Sequence, residues 1–276
     1  MNVFLVRSTL KQLCITSLFA PVLCAAPLLL RAQTTPAQTP ATAPEVPDWA
    51  LPGSANHKQI PPPEDFHRAS RNFNTPIGIF QGQSDIGGAL IPGNATYDAS
   101  TKQYTINSAG YNIWYQRDEF RFLWKKMSGD FSIAADGTFP VPKVPEYDRK
   151  IVLIARQDLE DDSKEVMTGE HATGMTHLAL RAEKHTMIGD IQYRIGGTLL
   201  PREARPQRIG LEKHGDSFAI FISVNGEPMH QFGPPITLHL DAPFYVGIGF
   251  CSHYPASVDT GIFNHVVLEN SAGKVQ

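Results

Sequence analysis

The chain has 276 residues, 42% of them hydrophobic and 18% charged, with 24 Lys+Arg against 27 Asp+Glu and a net charge of -3. A chain without a basic surplus is a poor partner for nucleic acid or an anionic membrane, both of which need a positive surface. Of three cysteines, Cys14 and Cys24 lie in an apolar N-terminal stretch and only Cys251 remains, so no internal disulfide is expected and a large core must stabilise the fold.

Residues 1–32 have the layout of a secretory signal peptide: Arg7 and Lys11 ahead of an apolar run that ends at Ala32. An uncleaved anchor is the alternative, but Pro21, Pro27 and the shortness of the run argue against a spanning helix. Cleavage after Ala32 also removes Arg31, leaving 21 cations against 27 acids, net -6. The expectation is an exported, periplasmic or extracellular protein with no stable membrane span after cleavage. Residues 33–72 are rich in Pro, Thr and Ala, lack apolar periodicity and read as an extended tether.

Residues 73–276 read as short strands with turn punctuation, and no helical period lasts more than two turns. Strands are predicted at Ile77 to Phe80 and Ile86 to Ile91, parted by a turn at Gly82-Gln-Ser-Asp85. A hairpin is predicted from Ala95–Asp98 to Gln103–Asn107. Next comes an aromatic stretch whose first part, with Tyr111, Asn112, Trp114, Tyr115 and Asp118, reads as a strand ending at a rim. Phe120, Phe122 and Trp124 then share one parity, with Leu123 the exception on the other, as a strand with a buried aromatic face requires. Ser128-Gly129-Asp130 turns the chain into a partner strand from Phe131. Arg149 to Gln157 is nearly continuous in apolar residues, as in a central strand covered on both faces. Thr176 to Glu183 alternates Leu178 and Leu180 against His177 and Arg181, and Asp190 to Ile195 follows. His214-Gly215-Asp216 joins two strands, Asn225-Gly226 marks a type I′ turn, and Phe244–Cys251 and Ile262–Leu268 close the fold. Cys251 reads as a buried thiol. A dozen or more strands at regular spacing make an all-β, two-sheet antiparallel sandwich or jelly roll.

The run Tyr97-Asp98, Tyr104-Thr-Ile, Gly110-x-Asn-Ile-Trp114, Asp118-x-Phe120-x-Phe122 and Ser128-Gly-Asp130 resembles the concanavalin A-like lectin/glucanase sandwiches of bacterial exported proteins. Arg208 to Phe218, Asn225-Gly-Glu and Pro243 to Gly249 with Cys251-Ser-His253 look like the beta-xylosidase C-terminal and enolase-regulator-like group. They are similar too to the sandwich appended to Tol-type biopolymer-transport propellers. The likeness spans about residues 76 to 270 and is specific for fold rather than function. It implies two sheets of about 13 strands, one of them concave and able to take an extended sugar chain.

Two sets of residues carry candidate chemistry. Glu160, Asp162 and Glu165 have the E-x-D-x-x-E spacing of laminarinase-type glycosidases, in which two carboxyls about 5 Å apart act as nucleophile and acid/base. Their polar neighbours read better as a solvated loop. The binding candidates are Arg156, Gln157, His177, Arg181, Gln192 and Arg194 on the concave sheet, with Trp114 or Tyr115 stacking on a sugar ring. The bland alternative is that Arg156 and Arg181 pair with acids such as Asp158 and Glu183. The histidines show no zinc spacing, and no metal or cofactor is expected, although Asp158, Asp161 and Asp162 would suit calcium in a rim loop. The leading expectation is a non-catalytic module for carbohydrate or cell-envelope glycan. The alternatives are a retaining glycosidase using Glu160 and Glu165, and a structural or interaction domain without ligand.

Overall fold

A computed structural model describes residues 68–143, 148–191 and 204–275. These form an all-β sandwich of two antiparallel sheets, as the two-residue rhythm of the sequence requires. The first sheet runs, in spatial order, β1 (Arg71–Phe73), β2 (Gly82–Ile86), β5 (Phe120–Met127), β15 (Phe244–Cys251), β7 (Lys150–Arg156), β8 (Glu165–His171), β9 (Thr176–Arg181) and β10 (Gly189–Ile191). The second runs β13 (His230–Gln231), β12 (Ser217–Val224), β11 (Pro206–His214), β6 (Phe131–Thr138), β16 (Asp259–Glu269), β4 (Gln103–Ser108) and β3 (Asn94–Asp98), with β14 (Ile236–Thr237) also on β12. The expected signal peptide and nearly all of the expected tether lie outside the described residues. Arg71 and Asn72, the tether's last two residues, already belong to β1.

The core between the sheets takes Leu123, Ile151, Leu153, Val166, Leu178, Val246 and Ile248 from the first sheet, and Ile133, Ile209, Leu211, Ile220 and Phe263 from the second. Residues of opposite parity in the first sheet therefore face away from its partner, because strand side chains alternate. This outer face carries Phe120, Phe122, Trp124, Val152, Ile154, Met167 and Ala179, and all are buried. The aromatic stripe of β5 is thus on the outer face, and Leu123 is the residue that enters the core. The rings lie over glycines of neighbouring strands: a Cβ on Gly82 would sit 2.3 Å from the Trp124 ring, and one on Gly249 2.6 Å from Phe120.

Several predicted elements stand as read. β7 is buried along its whole length between β15 and β8. The β3–β4 hairpin pairs Asp98 with Gln103, and His214 pairs with Ser217 across the β11–β12 turn. Asn225 and Gly226 both have positive φ, 55° and 73°.

Three expectations need correction. The supposed turn at residues 82–85 is strand β2, the strand expected from Ile86 to Ile91 keeps only Ile86 as the end of β2 and is turn and bend beyond it, and Ile77–Phe80 is a tight turn closed by one bridge. β6 does not pair with β5: the chain crosses to the other sheet at Ser128-Gly129-Asp130, and β6 pairs with β11 and β16. A polar turn between two buried strands has the same composition whether the chain folds back or crosses over. Lastly, residues 109–119 are no strand. They form a loop across the outer face of the first sheet, closed by the Ile113–Asp118 bridge.

Candidate functional site

That loop determines what the outer face can do. Its base is laced by Glu119, whose N donates to Asn112 O (2.7 Å) and whose Oε2 accepts from Tyr111 N (2.8 Å). At Gly110 the chain passes so close to Glu119 that a Cβ would stand 1.9 Å from the Glu119 carbonyl oxygen. Further bonds fix it to neighbouring loops: Asp118 N to Asp161 O (2.8 Å), Ile188 N to Tyr115 O (3.1 Å) and His253 N to Gly110 O (3.0 Å). Ile113, Leu159 and Ile188 bring apolar side chains down onto the outer face, and Trp114 packs against them.

The Asp118 side chain enters a buried ionic quartet. Arg181 grips it bidentately, Nη2 to Oδ1 at 2.7 Å and Nη1 to Oδ2 at 2.8 Å, while Arg156 Nη1 donates to Oδ2 at 2.6 Å. Arg156 also contacts Glu165 directly, and Arg181 Nη1 lies 3.5 Å from Glu165 Oε1. All four side chains are 0% exposed. Parity explains the convergence, since Arg156, Glu165 and Arg181 occupy outer-face positions of three adjacent strands in register. Burial raises Asp118, but Arg181 and Arg156 outweigh it and hold the carboxyl below its ordinary range. Burial pushes Glu165 up to about 8 despite Arg156, and the negative Asp118 beside it adds to the rise.

Next to the quartet is a third buried cation. Lys150 Nζ donates to Ile113 O (3.0 Å) and Asn112 Oδ1 (3.2 Å) and stands 5.1 Å from the Trp114 ring centre. Burial lowers its pKa. His177 meets Trp114 edge-on at 5.3 Å and His171 at 5.2 Å. Burial takes His171 down to about 4, despite Asp148 Oδ1 at 3.4 Å.

The sequence candidates are therefore distributed as follows. Arg156, Arg181 and Glu165 meet in the quartet, and Tyr115 and His177 are buried beside it. Trp114 is partly exposed at the loop tip. Gln157 exchanges two hydrogen bonds with the backbone of Asp241, at 2.7 and 2.9 Å. Gln192 and Arg194 lie outside the described residues. Glu160 is exposed, while Asp162 is buried and faces His185 (2.8 Å) and Lys184 (3.7 Å). The segment expected as a solvated loop is largely buried at Asp161, Asp162 and Ser163. The arginines do pair with acids, but with Asp118 and Glu165; Asp158 goes to Lys184 and Glu183 to Lys164. Among the described residues no group of three or more His, Cys, Asp or Glu is arranged to hold a metal.

Asp118 and Lys150 belong to this arrangement but were not among the sequence candidates. The signal lay in the sequence: a cation at an outward-parity position of a strand as apolar as β7 needs a partner brought from elsewhere.

Chemically, Asp118 and Glu165 are a carboxyl pair pushed in opposite directions, the pattern of an acid/base couple. Both are sealed from solvent and clasped by guanidiniums, so a substrate has no path to them in this arrangement. What the quartet does hold is the loop tip. Arg181 Nη2 donates to Trp114 O (3.3 Å) and Tyr115 O (3.2 Å), fixing Tyr115 at φ 37°, a strained region for a bulky residue.

No protein-family model matches the chain, and no curated protein sequence matches it either. Solved structures similar to it include a Saccharomyces cerevisiae protein of unknown function, at 13% identity and TM-score 0.46, over 65% of this chain and 93% of that one. Xylan beta-1,4-xylosidase from Bacillus halodurans C-125 is similar at 9% identity and TM-score 0.46, over 77% of this chain and 41% of the xylosidase. A GH131 beta-glucanase catalytic domain from Podospora anserina is similar at 11% identity and TM-score 0.39, over 75% and 87% of the two chains. At these values the likeness carries no inference about site or activity.

Proposed function

We propose that this chain is an exported, non-catalytic carbohydrate-binding sandwich that recognises glycan through the tip of the 109–119 loop. The observation that carries the reading is the preorganised tip. A partly exposed indole at Trp114 is backed by Lys150 and His177, followed by a strained Tyr115 and then by exposed Gln116 and partly exposed Arg117. An aromatic face beside a planar amide and a guanidinium suits a sugar ring, whose C–H face stacks while its hydroxyls accept and donate. Holding that loop before binding lowers the ordering cost of association. The sealed Asp118–Glu165 pair favours binding over hydrolysis. Export rests on the composition of residues 1–32.

The test is affinity electrophoresis and calorimetry of the full chain against a panel of neutral and envelope polysaccharides. At least one should bind, and Trp114→Ala should weaken it about 10- to 30-fold, as for an aromatic hot spot, with its thermal unfolding checked in parallel. Binding unaffected by Trp114→Ala, or no binding to any glycan, overturns the proposal. Reducing-sugar release that Glu165→Gln abolishes would make it an enzyme instead.

A further inference from the structure

A second feature lies away from the loop, where the two sheets part at the ends of β6, β8, β11 and β16. A cleft of about 620 Å³ opens there, lined by Gly137, Phe139, Glu170, Arg205 and Asn264 among others. Glu170 projects inward from β8, on the parity of Val166 and Thr168, and is 4% exposed. Among the described residues its Oε2 has no hydrogen-bond partner. A buried carboxyl oxygen left unpaired costs about 1–3 kcal/mol, so this atom is a place where a ligand gains more than water exchange. Room for it exists because residue 137 is glycine: a Cβ there would stand 2.9 Å from Oε2.

The other groups narrow the ligand class. Arg205 anchors on Ala172 O at 2.8 Å and carries positive charge into the cleft, which disfavours a metal cation. Burial pushes Glu170 up to about 8, against the pull of Arg205, so near neutral pH it is mostly an uncharged acid that donates as well as accepts. Asp136, held by Arg208 (2.7 Å) and by the His265 ring (2.6 Å), keeps a carboxylate on the wall, which disfavours a multiply charged anion such as phosphate. Asn264, whose Oδ1 accepts from Gln103 (3.0 Å), adds a planar amide, and partly exposed Phe139 adds an aromatic surface. A neutral ligand with adjacent hydroxyls satisfies all of these groups at once.

We infer that this cleft is a second ligand site, taking one neutral hydroxyl-rich ring of monosaccharide size, with Glu170 bonding its hydroxyls and Phe139 against its apolar face. The inference rests on the carbohydrate-binding reading above but uses none of its residues. It is tested by amide NMR titration of the full chain carrying Trp114→Ala, with methyl glycosides of neutral pentoses and hexoses. At least one glycoside should shift the Gly137 and Thr138 amides. Its affinity should fall at least tenfold on adding Glu170→Ala, and likewise on adding Gly137→Ala, which narrows the cleft without removing the carboxyl; retained amide dispersion shows that each variant is folded. Absence of such shifts with every glycoside, or affinity unchanged by both substitutions, overturns the cleft. Loss of polysaccharide binding in Trp114→Ala without cleft shifts sinks the cleft alone; cleft shifts with polysaccharide affinity untouched by Trp114→Ala sink the loop-tip reading alone.

Discussion

Arg181→Met is the most informative perturbation of the sandwich. It keeps much of the side-chain volume and removes six hydrogen bonds, to both Asp118 oxygens and to the carbonyls of Ser163, Thr186, Trp114 and Tyr115. Asp118 would remain fully buried with Arg156 as its one cation in the quartet. Removing one member of a buried ion pair costs about 3–5 kcal/mol, chiefly because the other charge is stranded. For a domain of this size each kcal/mol lowers Tm by about 2–4 °C, so a fall of roughly 6–20 °C is expected. Urea or guanidinium unfolding followed by tryptophan emission measures it directly, and Trp114 should report a loosened tip before the global transition. Lys164→Met is the control. Its partner Glu183 is 3.9 Å away and 75% exposed, and such a pair is worth less than about 1 kcal/mol. A double-mutant cycle with Asp118→Asn should give a coupling above about 1.5 kcal/mol. If Arg181→Met costs no more than the control, the quartet does not hold the loop and the preorganisation reasoning fails.

Other consequences follow from buried titrating groups and from steric limits. Glu170 rises from an ordinary 4.5 to about 8, so its contribution is present below pH 4.5 and is lost as pH climbs through 8. Glu170→Gln should therefore match the wild type near pH 4.5 and exceed it by a few kcal/mol at pH 8.5, on the order of 1.4 kcal/mol per unit of displaced pKa; parallel pH–stability curves would contradict this. His171 shifts the opposite way, from 6.5 to about 4, so stability present above pH 6.5 drains as pH falls toward 4. His171→Phe should flatten the stability curve between those limits in chemical denaturation at stepped pH. Gly110→Ala should destabilise by more than about 2 kcal/mol, because the new Cβ meets a backbone carbonyl that cannot turn aside; a melting point within 2 °C of wild type, equivalent to about 1 kcal/mol or less, would show that the loop base yields.

The strands that could be read in the sequence were those whose surroundings are uniform along their length. β7 is apolar on both faces, β11 and β12 flank a short polar turn, and β9 alternates cleanly. The crossing at Ser128-Gly129-Asp130 could not be read, because strand pairing is decided by partners far away in sequence: β5 by β2 and β15, β6 by β11 and β16. The same limit applies to the site. Arg156 and Arg181 stood out as cations among apolar neighbours, but their acids come 38 and 63 residues before them at Asp118, and from Glu165 on the strand between. Residues 109–119 misled because Tyr111, Ile113 and Tyr115 alternate as a strand would. Their apolar groups are buried by lying across a sheet, which produces the same letters as joining one.

The quartet also bears on the proposed place of recognition. Two arginines and two acids sealed from solvent are a costly way to fill space, since apolar residues of similar volume often stabilise as well or better. What apolar residues cannot do is reach the carbonyls of Trp114 and Tyr115 and hold Tyr115 at a φ it would otherwise leave. The charges thus set a conformation rather than supply stability, and that conformation presents an indole at the rim. Asp118, held below its ordinary range by both guanidiniums, keeps this hold through mild acid. The outer face of the first sheet is a foundation for the loop, and the proposed ligand contacts are those it supports.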